Sequence, residues 1–167
     1  MNQLLTLGEH AGELLKTRGE RIVVAETSAG GLVSTALLAV PGASVYYVGG
    51  AITYSLKSIH ALAGIDMDVL QKQNIRSSSE PYAQILARTI REKHPRVTWG
   101  LSESGAAGPT GNRYGDPAGH TCMAVDGPVK LVRTLRTGQS ERYPNMLAFA
   151  QATLALLIEA LESAPRG

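Results

Sequence analysis

The sequence predicts an α/β fold, a three-layer α/β/α sandwich around a mixed, mostly parallel sheet. Residues 22–25 form an apolar run without polar alternation, which is typical of a strand covered on both faces. Apolar residues recur at helical spacing over 4–15 and 147–161, which indicates helices that bury one side against such a sheet. Because strand and helix patterns alternate without a linker or an internal repeat, we expect a single domain over residues 1–167.

In the first half of the chain, glycine and proline mark where the predicted elements stop. Pro41 and Gly42 end one helical pattern, because proline supplies no backbone N–H and glycine favours a turn. Gly49 and Gly50 fall within the second strand region and indicate a bulge or a close approach of backbone. The predicted elements are a helix ending before Gly19, a strand at 22–25, a helix at 31–40, a strand region at 45–54 and a short helix at 57–63.

The second half of the chain opens with a clear helix start. Ser79 is the predicted N-cap, Pro81 lies in the first turn, and the helix is expected to run to about His94, before Pro95. The remaining predicted elements are a strand at 97–103, a glycine-rich loop at 105–119, a hairpin of 121–125 with 129–135, and a final helix carrying the stripe at 147–161.

The composition argues against several classes of function. Hydrophobic residues make up 44% of the 167 residues, which is too many for a disordered chain, and aromatic residues only 5%, so the core must be aliphatic. The 16 basic and 14 acidic residues are scattered, so the charge indicates neither a nucleic-acid-binding nor a membrane-binding surface. The lone Cys122 permits no internal disulfide, and its apolar neighbours in sequence favour an inert buried thiol.

No stretch of the sequence resembles a signal peptide or a membrane span, so we expect a cytoplasmic protein. The spacing of His, Cys, Asp and Glu suggests no metal site, and the dinucleotide-binding pattern G-x-G-x-x-G is absent, so no cofactor is expected. The apolar stripes of the terminal helices suit either packing on the sheet or homo-oligomerisation, and the sequence does not decide between them.

The most informative stretch is the junction between the first strand and the helix that follows it. An apolar run ends in Glu26, Thr27 and Ser28, and Gly30 and Gly31 come directly afterwards. Such a junction directs hydroxyl and backbone N–H groups to one point near a helix N-terminus, where negative charge is favoured. It suits a nucleophile, an oxyanion donor or a phosphate cradle. In the alternative interpretation the hydroxyls only cap the helix, and the carboxylate of Glu26 is a buried ligand of the same amides.

Two predicted parallel strands, 22–25 and 97–103, end at the same edge of the sheet, which is where open α/β sheets bind ligands. Arg113 and Arg142 are candidate partners of a ligand phosphate, the alternative being that both are simply solvated. The other candidate site residues at this edge are Glu26, Thr27, Ser28, Ser44, Tyr54, Ser104 and the amides of Gly105, Ala106 and Gly108.

Several short motifs, in a constant order along the chain, resemble those of a known family. Residues 25–31 (AETSAGG) resemble A-E-S-x-T-G-G, and residues 40–44 (VPGAS) resemble V-P-G-S-S. Residues 49–55 (GGAITYS), 62–65 (LAGI), 104–109 (SGAAGP) and 117–119 (PAG) resemble G-G-x-x-x-Y-S, L-L-G-V, T-G-I-A-G-P and P-V-G. On these motifs the chain resembles the CinA C-terminal domain family, the nicotinamide-nucleotide amidohydrolases. The resemblance implies a CinA-like domain that deamidates nicotinamide mononucleotide to nicotinate mononucleotide and ammonia.

The same resemblance implies catalysis by a serine nucleophile after the motif's Glu and by a lysine base just beyond the Y-S motif. Thr27 stands at the serine position, and Ile59 occupies the lysine position. Ser44 and Tyr54 match assisting hydroxyls, and Ser104 replaces a threonine. Because isoleucine accepts no proton, one member of the pair has changed conservatively and the other has not.

Three alternatives follow from the missing lysine. In the first, which is the amidohydrolase hypothesis, Thr27 attacks and Lys57 or His60 supplies the base from a neighbouring position, while the amides of Gly30 and Gly31 hold the oxyanion or the phosphate. In the second, the chain catalyses a related reaction by another mechanism. In the third, the pocket binds a nucleotide without catalysis, as a silent homologue or an accessory subunit.

Overall fold

The computed structural model describes residues 1–166, in which five strands form one sheet between helices. A 3₁₀ turn at Ala43–Val45 precedes the second strand, and a π-helical turn at Ile59–Ala63 continues the third helix. The helices are α1 (Asn2–Arg18), α2 (Leu32–Leu38), α3 (Leu56–Ser58), α4 (Met67–Lys72), α5 (Glu80–Glu92) and α6 (Arg142–Ser163). The strands are β1 (Ile22–Glu26), β2 (Tyr47–Ile52), β3 (Trp99–Ala106), β4 (His120–Asp126) and β5 (Leu131–Arg136).

The sheet is mixed and has the strand order β2-β1-β3-β4-β5. β1 pairs in parallel with β2 and with β3, whereas β4 runs antiparallel to β3 and to β5. Four strands therefore run in one direction and only β4 runs in the other, as the predicted mixed sheet requires. The carboxyl ends of β1, β2 and β3 lie at one edge, which confirms the predicted parallel pairing of the first strand with the strand at 97–103.

Helices cover both faces of the sheet. Every residue of β1 is buried. Ile22 and Val24 pack into an apolar cluster with α1, α2 and α6 on one face, and Val23 and Ala25 pack with α5 and the π turn on the other. The absence of polar alternation in this strand therefore reflects burial on both sides, and the three-layer α/β/α prediction is confirmed.

Two predicted helix ends are confirmed by their capping geometry. The hydroxyl of Ser79 accepts the N–H of Tyr82 at 3.4 Å and caps α5. Gly19 follows α1 with φ of 64°, the left-handed conformation in which glycine ends many helices.

Two elements differ from the sequence-based expectation. α4 was not predicted, because its six residues bury only Leu70 and so show no apolar period; it begins where the carboxylate of Asp66 accepts the N–H groups of Asp68 and Val69. β3 continues to Ala106 instead of ending at residue 103, because the antiparallel ladder with β4 extends to the pair of Ala106 with His120. The ladder, which is a tertiary feature, keeps these last residues extended.

α6 is apolar and long enough to cross a membrane by length and composition alone, but half of its most apolar window is buried in the fold. It packs against α1, α2 and β4, and its apolar character is that of a core helix. Cys122 is buried in β4, as predicted.

Candidate functional site

A pocket of about 370 Å³, here called the inner pocket, opens at the carboxyl ends of β1 and β3. This volume lies within the range of sites for small organic ligands. Of the predicted site residues, the inner pocket brings together Thr27, Tyr54, Ser104, Gly105 and Arg113. Its lining also includes Ile59 and six residues that were not predicted as site residues: Ser55, Leu56, Ser77, Ser78, Asn112 and Tyr114.

Thr27 lies directly after β1 and is half-buried at the wall of the pocket. Its Oγ1 donates to the carbonyl of Thr53 at 3.0 Å and lies 3.4 Å from the hydroxyl of that residue. Within residues 1–166, no ionisable side chain lies within hydrogen-bond distance of this hydroxyl. Thr27 is therefore positioned for contact with a ligand but lacks the adjacent base that a hydroxyl nucleophile needs.

Ile59 lies in the inner pocket with only 3% of its surface exposed, and it packs with Ala63 and Val23 in the cluster beneath α5. Ile59, which the family resemblance assigns to the lysine position, thus presents an apolar side chain to the pocket. Lys57 and His60 line a different depression on the protein surface. The geometry therefore does not bring either of these candidate bases to Thr27.

Glu26 is buried and caps α2. Its Oε1 accepts the N–H groups of Gly31 at 3.1 Å and Val33 at 2.9 Å, and its Oε2 accepts the N–H and hydroxyl of Ser34 at 2.9 and 2.6 Å. The carboxylate satisfies amides that would otherwise be free at the helix N-terminus. This is the structural alternative that the sequence left open, and Glu26 does not line the pocket.

Glu103 is the residue at this edge that sequence reasoning missed as a functional candidate. It is fully buried, and one carboxylate oxygen accepts the hydroxyls of Ser28 and Thr121, while the other accepts the N–H groups of Thr27 at 3.1 Å and Ala29 at 2.8 Å. Burial raises the pKa of Glu103, and the hydrogen bonds from these four residues offset the increase only in part. Ser28 consequently points into the protein instead of into the pocket, and Glu103 holds the loop that carries Thr27.

Ser104 and Ser78 form one wall of the pocket. Ser78 has φ of 56°, a left-handed conformation that is rare for serine, and its N–H donates to the hydroxyl of Ser104 at 3.2 Å. The carbonyl of Ser78 accepts the Nε2–H of His120 at 2.9 Å and an N–H of Arg76 at 3.3 Å. Ser104 thus organises the segment before α5 as well as facing the pocket.

Tyr114 also lines the pocket. Its hydroxyl accepts hydrogen bonds from Arg113 at 2.8 Å and from Ser77 at 3.3 Å, and the guanidinium groups of Arg76 and Arg113 each lie 5.0 Å from the centre of its ring. Burial by itself would raise the pKa of Tyr114, but the hydrogen bonds and the two positive charges outweigh burial and lower it. Tyr114 is therefore the pocket residue best suited to exchange a proton.

The glycine-rich loop is anchored to the segment before α5. Arg76 donates to both oxygens of Asp116, at 2.6 and 3.0 Å, and Asn112 donates to Asp116 at 2.8 Å. Burial opposes ionisation of Asp116, but the hydrogen bonds of Arg76 and Asn112 and the charges of His120 and Arg76 outweigh it, so its pKa is lowered. This bidentate ion pair fixes the loop over the pocket.

Arg142 connects the start of α6 to the rim of the site. It donates to the carbonyl of Gly108 at 2.6 Å and to the hydroxyl of Tyr54 at 3.1 Å. Tyr54 is 63% exposed and lines the pocket, so it is a rim residue and not part of the core. Arg142 reaches the site through these two contacts and does not itself line the pocket.

The backbone amides expected to bind an oxyanion or a phosphate are largely engaged within the protein. The N–H of Gly30 donates to the carbonyl of Thr27 at 3.2 Å, and that of Gly31 donates to Glu26. Gly105 and Ala106 belong to β3 instead of a free loop, and of these two only Gly105 reaches the pocket. These contacts argue against an oxyanion hole built from the glycines after β1.

Ser44 lies away from the inner pocket. It belongs to the exposed turn before β2, and β2 runs parallel to β1, so this turn is at the opposite edge of the sheet from Thr27. The expected convergence of Ser44 with the other hydroxyls is therefore not found within one chain.

Two signals in the sequence could have identified the missed residues. Glu103 interrupts an apolar strand with a carboxylate, which is costly to bury unless it is fully hydrogen-bonded. The run Ser77, Ser78 and Ser79 supplies more hydroxyls than one helix cap requires. No comparable signal marks Tyr114, because its approach to the pocket depends on the path of a long loop.

The part of the chain that the structure describes contains no group of three or more His, Cys, Asp or Glu side chains arranged to hold a metal ion. The polar side chains that line the inner pocket carry hydroxyls, two phenols, one carboxamide and one guanidinium group.

Comparisons with known proteins identify the family of this chain. The CinA C-terminal domain family matches residues 4–161. A CinA-like protein of Prochlorococcus marinus is 40% identical over 116 residues, covering 70% of this chain and 26% of its own length, and one of Myxococcus xanthus is 36% identical over 156 residues, covering 92% and 36%. The chain thus spans about a third of the length of these curated relatives.

Solved structures share the fold. The competence/damage inducible protein CihA of Agrobacterium tumefaciens superposes with a TM-score of 0.86 at 24% identity, covering 96% of each chain. A CinA superfamily protein of Klebsiella pneumoniae superposes with a TM-score of 0.85 at 24% identity, covering 95% of this chain and 98% of its own.

Proposed function

This chain belongs to the CinA C-terminal domain family. We propose that its inner pocket binds a pyridine mononucleotide but does not hydrolyse it, because the pocket, within residues 1–166, has no serine–lysine pair. The observation that carries the proposal is the position of Ile59, which is buried in the pocket that Thr27 also lines. The hydroxyl of Thr27 meanwhile donates to a backbone carbonyl and has no basic neighbour among the described residues. Thr27 can therefore contact a ligand in this pocket, but no basic side chain of the described residues lies beside it to accept the proton of its hydroxyl.

The residues around the pocket suit the parts of such a ligand. The exposed guanidinium of Arg113 lies at the pocket wall and has no carboxylate partner within residues 1–166, so it is available to a phosphate. The exposed ring of Tyr54 suits a flat, positively charged pyridinium ring. The hydroxyls of Thr27 and Ser104 suit the polar atoms of a carboxamide.

A second candidate function is amide hydrolysis with a different base, and Tyr114 is the observation that favours it. As a phenolate, Tyr114 would take the proton of the Thr27 hydroxyl through a bridging water, because the two hydroxyls are not in hydrogen-bond contact, while the Thr27 oxygen attacks the carboxamide carbon. The C–N bond would then break, the same proton would leave with the amine as ammonia, and water would release nicotinate mononucleotide from the threonine ester. The lowered pKa of Tyr114 supports this alternative.

The test measures binding and turnover on the same protein. Titration calorimetry with nicotinamide mononucleotide should give saturable heat for the natural chain, while an assay for ammonia should show no release above buffer. Thr27→Ala and Arg113→Ala should weaken binding, each by about 1 kcal/mol, the typical contribution of one hydrogen bond. No heat of binding with any pyridine mononucleotide would overturn the proposal.

The variant Ile59→Lys tests the missing base directly, and Ile59→Met is its control because methionine has similar length but no amine. Ammonia release gained by the lysine variant alone would confirm that residue 59 accounts for the lost hydrolysis. Ammonia release by the natural chain, abolished in both Thr27→Ala and Tyr114→Phe, would instead establish the second candidate.

A further inference from the structure

Two further depressions adjoin the inner pocket. The middle depression, of about 400 Å³, shares Leu56, Arg113 and Tyr114 with the inner pocket. The outer depression, of about 470 Å³, shares Leu56, Met67 and Asp68 with the middle one. The shared residues place the three depressions side by side, in a line from Thr27 along α3 and α4 to the surface around His60, and this line is here called the groove. The inner pocket alone accommodates a mononucleotide, so the rest of the groove has room for a longer ligand.

A cationic side chain lies at each end of the part of the groove beyond the inner pocket. Arg113 lies where the inner pocket meets the middle depression, and Lys57 lies in the outer depression. Within residues 1–166, neither side chain forms an ion pair with a carboxylate, although nine ion pairs occur elsewhere in the same residues. Both are exposed, and the one hydrogen bond that Arg113 makes, to the hydroxyl of Tyr114, leaves its other N–H groups available to a bound anion. Arg113 at the junction suits a diphosphate that extends beyond the first nucleoside, and Lys57 can donate hydrogen bonds to the oxygen and nitrogen acceptors of a second nucleoside.

The outer half of the groove offers contacts for a second nucleoside. Leu56 and Met67 supply apolar surface against which a base can lie. Asp68 lines the middle and the outer depression, and its carboxylate has no hydrogen-bond partner among the described side chains. This carboxylate can therefore accept hydrogen bonds from the hydroxyls of a ribose. Asp66 differs, since one of its oxygens already caps α4.

We propose that the groove binds a pyridine dinucleotide, with the nicotinamide half in the inner pocket, the diphosphate near Arg113, and the second nucleoside over Met67 between Lys57 and Asp68. This inference rests on the proposed function, because it places the same pyridine ring in the same pocket. It also assigns Lys57 and His60 to ligand binding at the outer end of the groove. In the described part of the chain, neither residue shares a depression with Thr27, so neither acts as its base.

The experiment compares nicotinamide mononucleotide with NAD⁺ by titration calorimetry on the whole chain. NAD⁺ should bind at least about fivefold more tightly than the mononucleotide, since a filled groove adds contacts worth roughly 1 kcal/mol. Lys57→Ala and Asp68→Ala should each weaken NAD⁺ binding several-fold and leave mononucleotide binding unchanged within error. Lys72→Ala is the matched control, because this exposed lysine of α4 lines none of the three depressions and should affect neither ligand.

Each outcome bears on the inference. Tighter binding of NAD⁺ that depends on Lys57 and Asp68 supports it. Binding of the mononucleotide with no gain for NAD⁺, or a gain unaffected by these two variants, overturns the dinucleotide inference and leaves the proposed function standing. No binding of either ligand overturns both.

Discussion

Glu26 and Glu103 are paired residues of β1 and β3, and both carboxylates are buried at the edge of the sheet that carries the site. The donors that face them differ. One oxygen of Glu103 accepts only hydroxyls, from Ser28 and Thr121, whereas both oxygens of Glu26 accept at least one backbone N–H. A hydroxyl can turn to accept a hydrogen bond, but a backbone N–H can only donate. The two carboxylates therefore respond differently to the same substitution.

Glu103→Gln should destabilise the fold by less than about 1 kcal/mol, because the new NH₂ group can donate to the two hydroxyls while the oxygen accepts the two amides. The pKa of Glu103 is raised in the folded state, so the folded state binds the proton more tightly than the unfolded state does. The contribution of Glu103 to the stability of the natural chain is therefore lost as the pH rises from the ordinary carboxyl pKa to the raised one. The glutamine variant lacks this pH dependence, because its side chain does not titrate.

Urea unfolding of both proteins between pH 4 and pH 8 checks this prediction, with Glu9→Gln on the exposed face of α1 as the control. The difference in unfolding free energy should move in favour of Glu103→Gln with rising pH. A difference that is constant over this range would contradict the raised pKa.

At the scale of the element, α2 depends on a carboxylate from the strand before it. This helix has seven residues and no side-chain cap of its own, and Glu26 takes the place of the missing cap. Short helices gain little from propensity alone, so the satisfaction of their first amides is a large part of their stability.

Glu26→Gln should destabilise the fold by about 1–3 kcal/mol, the cost of leaving a buried N–H unpaired. Whichever way the amide is turned, its NH₂ group faces a backbone N–H of Gly31, Val33 or Ser34. Denaturant unfolding at pH 7 should rank the natural chain first, Glu103→Gln second and Glu26→Gln third. Equal stability of the two glutamine variants would refute the assignment of donors at these sites.

At the scale of the whole molecule, the walls of the pocket are held in place by contacts between segments that are distant in sequence. Arg76 and Asp116 are 40 residues apart, and Arg142 reaches Gly108 and Tyr54 from the start of α6. Buried Asn145 of α6 also donates to the carbonyls of Ala107 and Gln139. The loop over the pocket is thus ordered by α6 and by the segment before α5, in addition to the hydrogen bonds of Asn112 with Tyr114 and Asp116 inside the loop.

Asp116→Asn should loosen this loop, since it removes the charge that pairs with Arg76. Hydrogen exchange of the amides at 107–119 should become faster by a factor of ten or more, which corresponds to about 1.4 kcal/mol of lost opening free energy. The pKa of Asp116 is lowered in the folded state, so its contribution is present above the ordinary carboxyl pKa and is lost as the pH falls through the lowered one.

Exchange measured at decreasing pH, and corrected for the intrinsic rate, should therefore bring the natural chain towards the variant. Exchange at 107–119 that is the same in both proteins at pH 7 would show that the ion pair does not anchor the loop.

The sequence by itself determined the α/β class, the caps of α1 and α5, the burial of β1 and the edge of the sheet that carries the site. These features follow from local patterns: apolar period, capping residues and the direction of neighbouring strands. The prediction that Ile59 stands at the family's lysine position rests on the motif resemblance alone. Only the tertiary structure decided that Glu26 and Glu103 occupy the amides after β1, that Lys57 and His60 face a separate depression, and that Ser44 lies at the opposite edge. The physical reason is that hydrogen-bond partners and pocket walls here come from segments tens of residues apart, and their approach depends on how the layers pack.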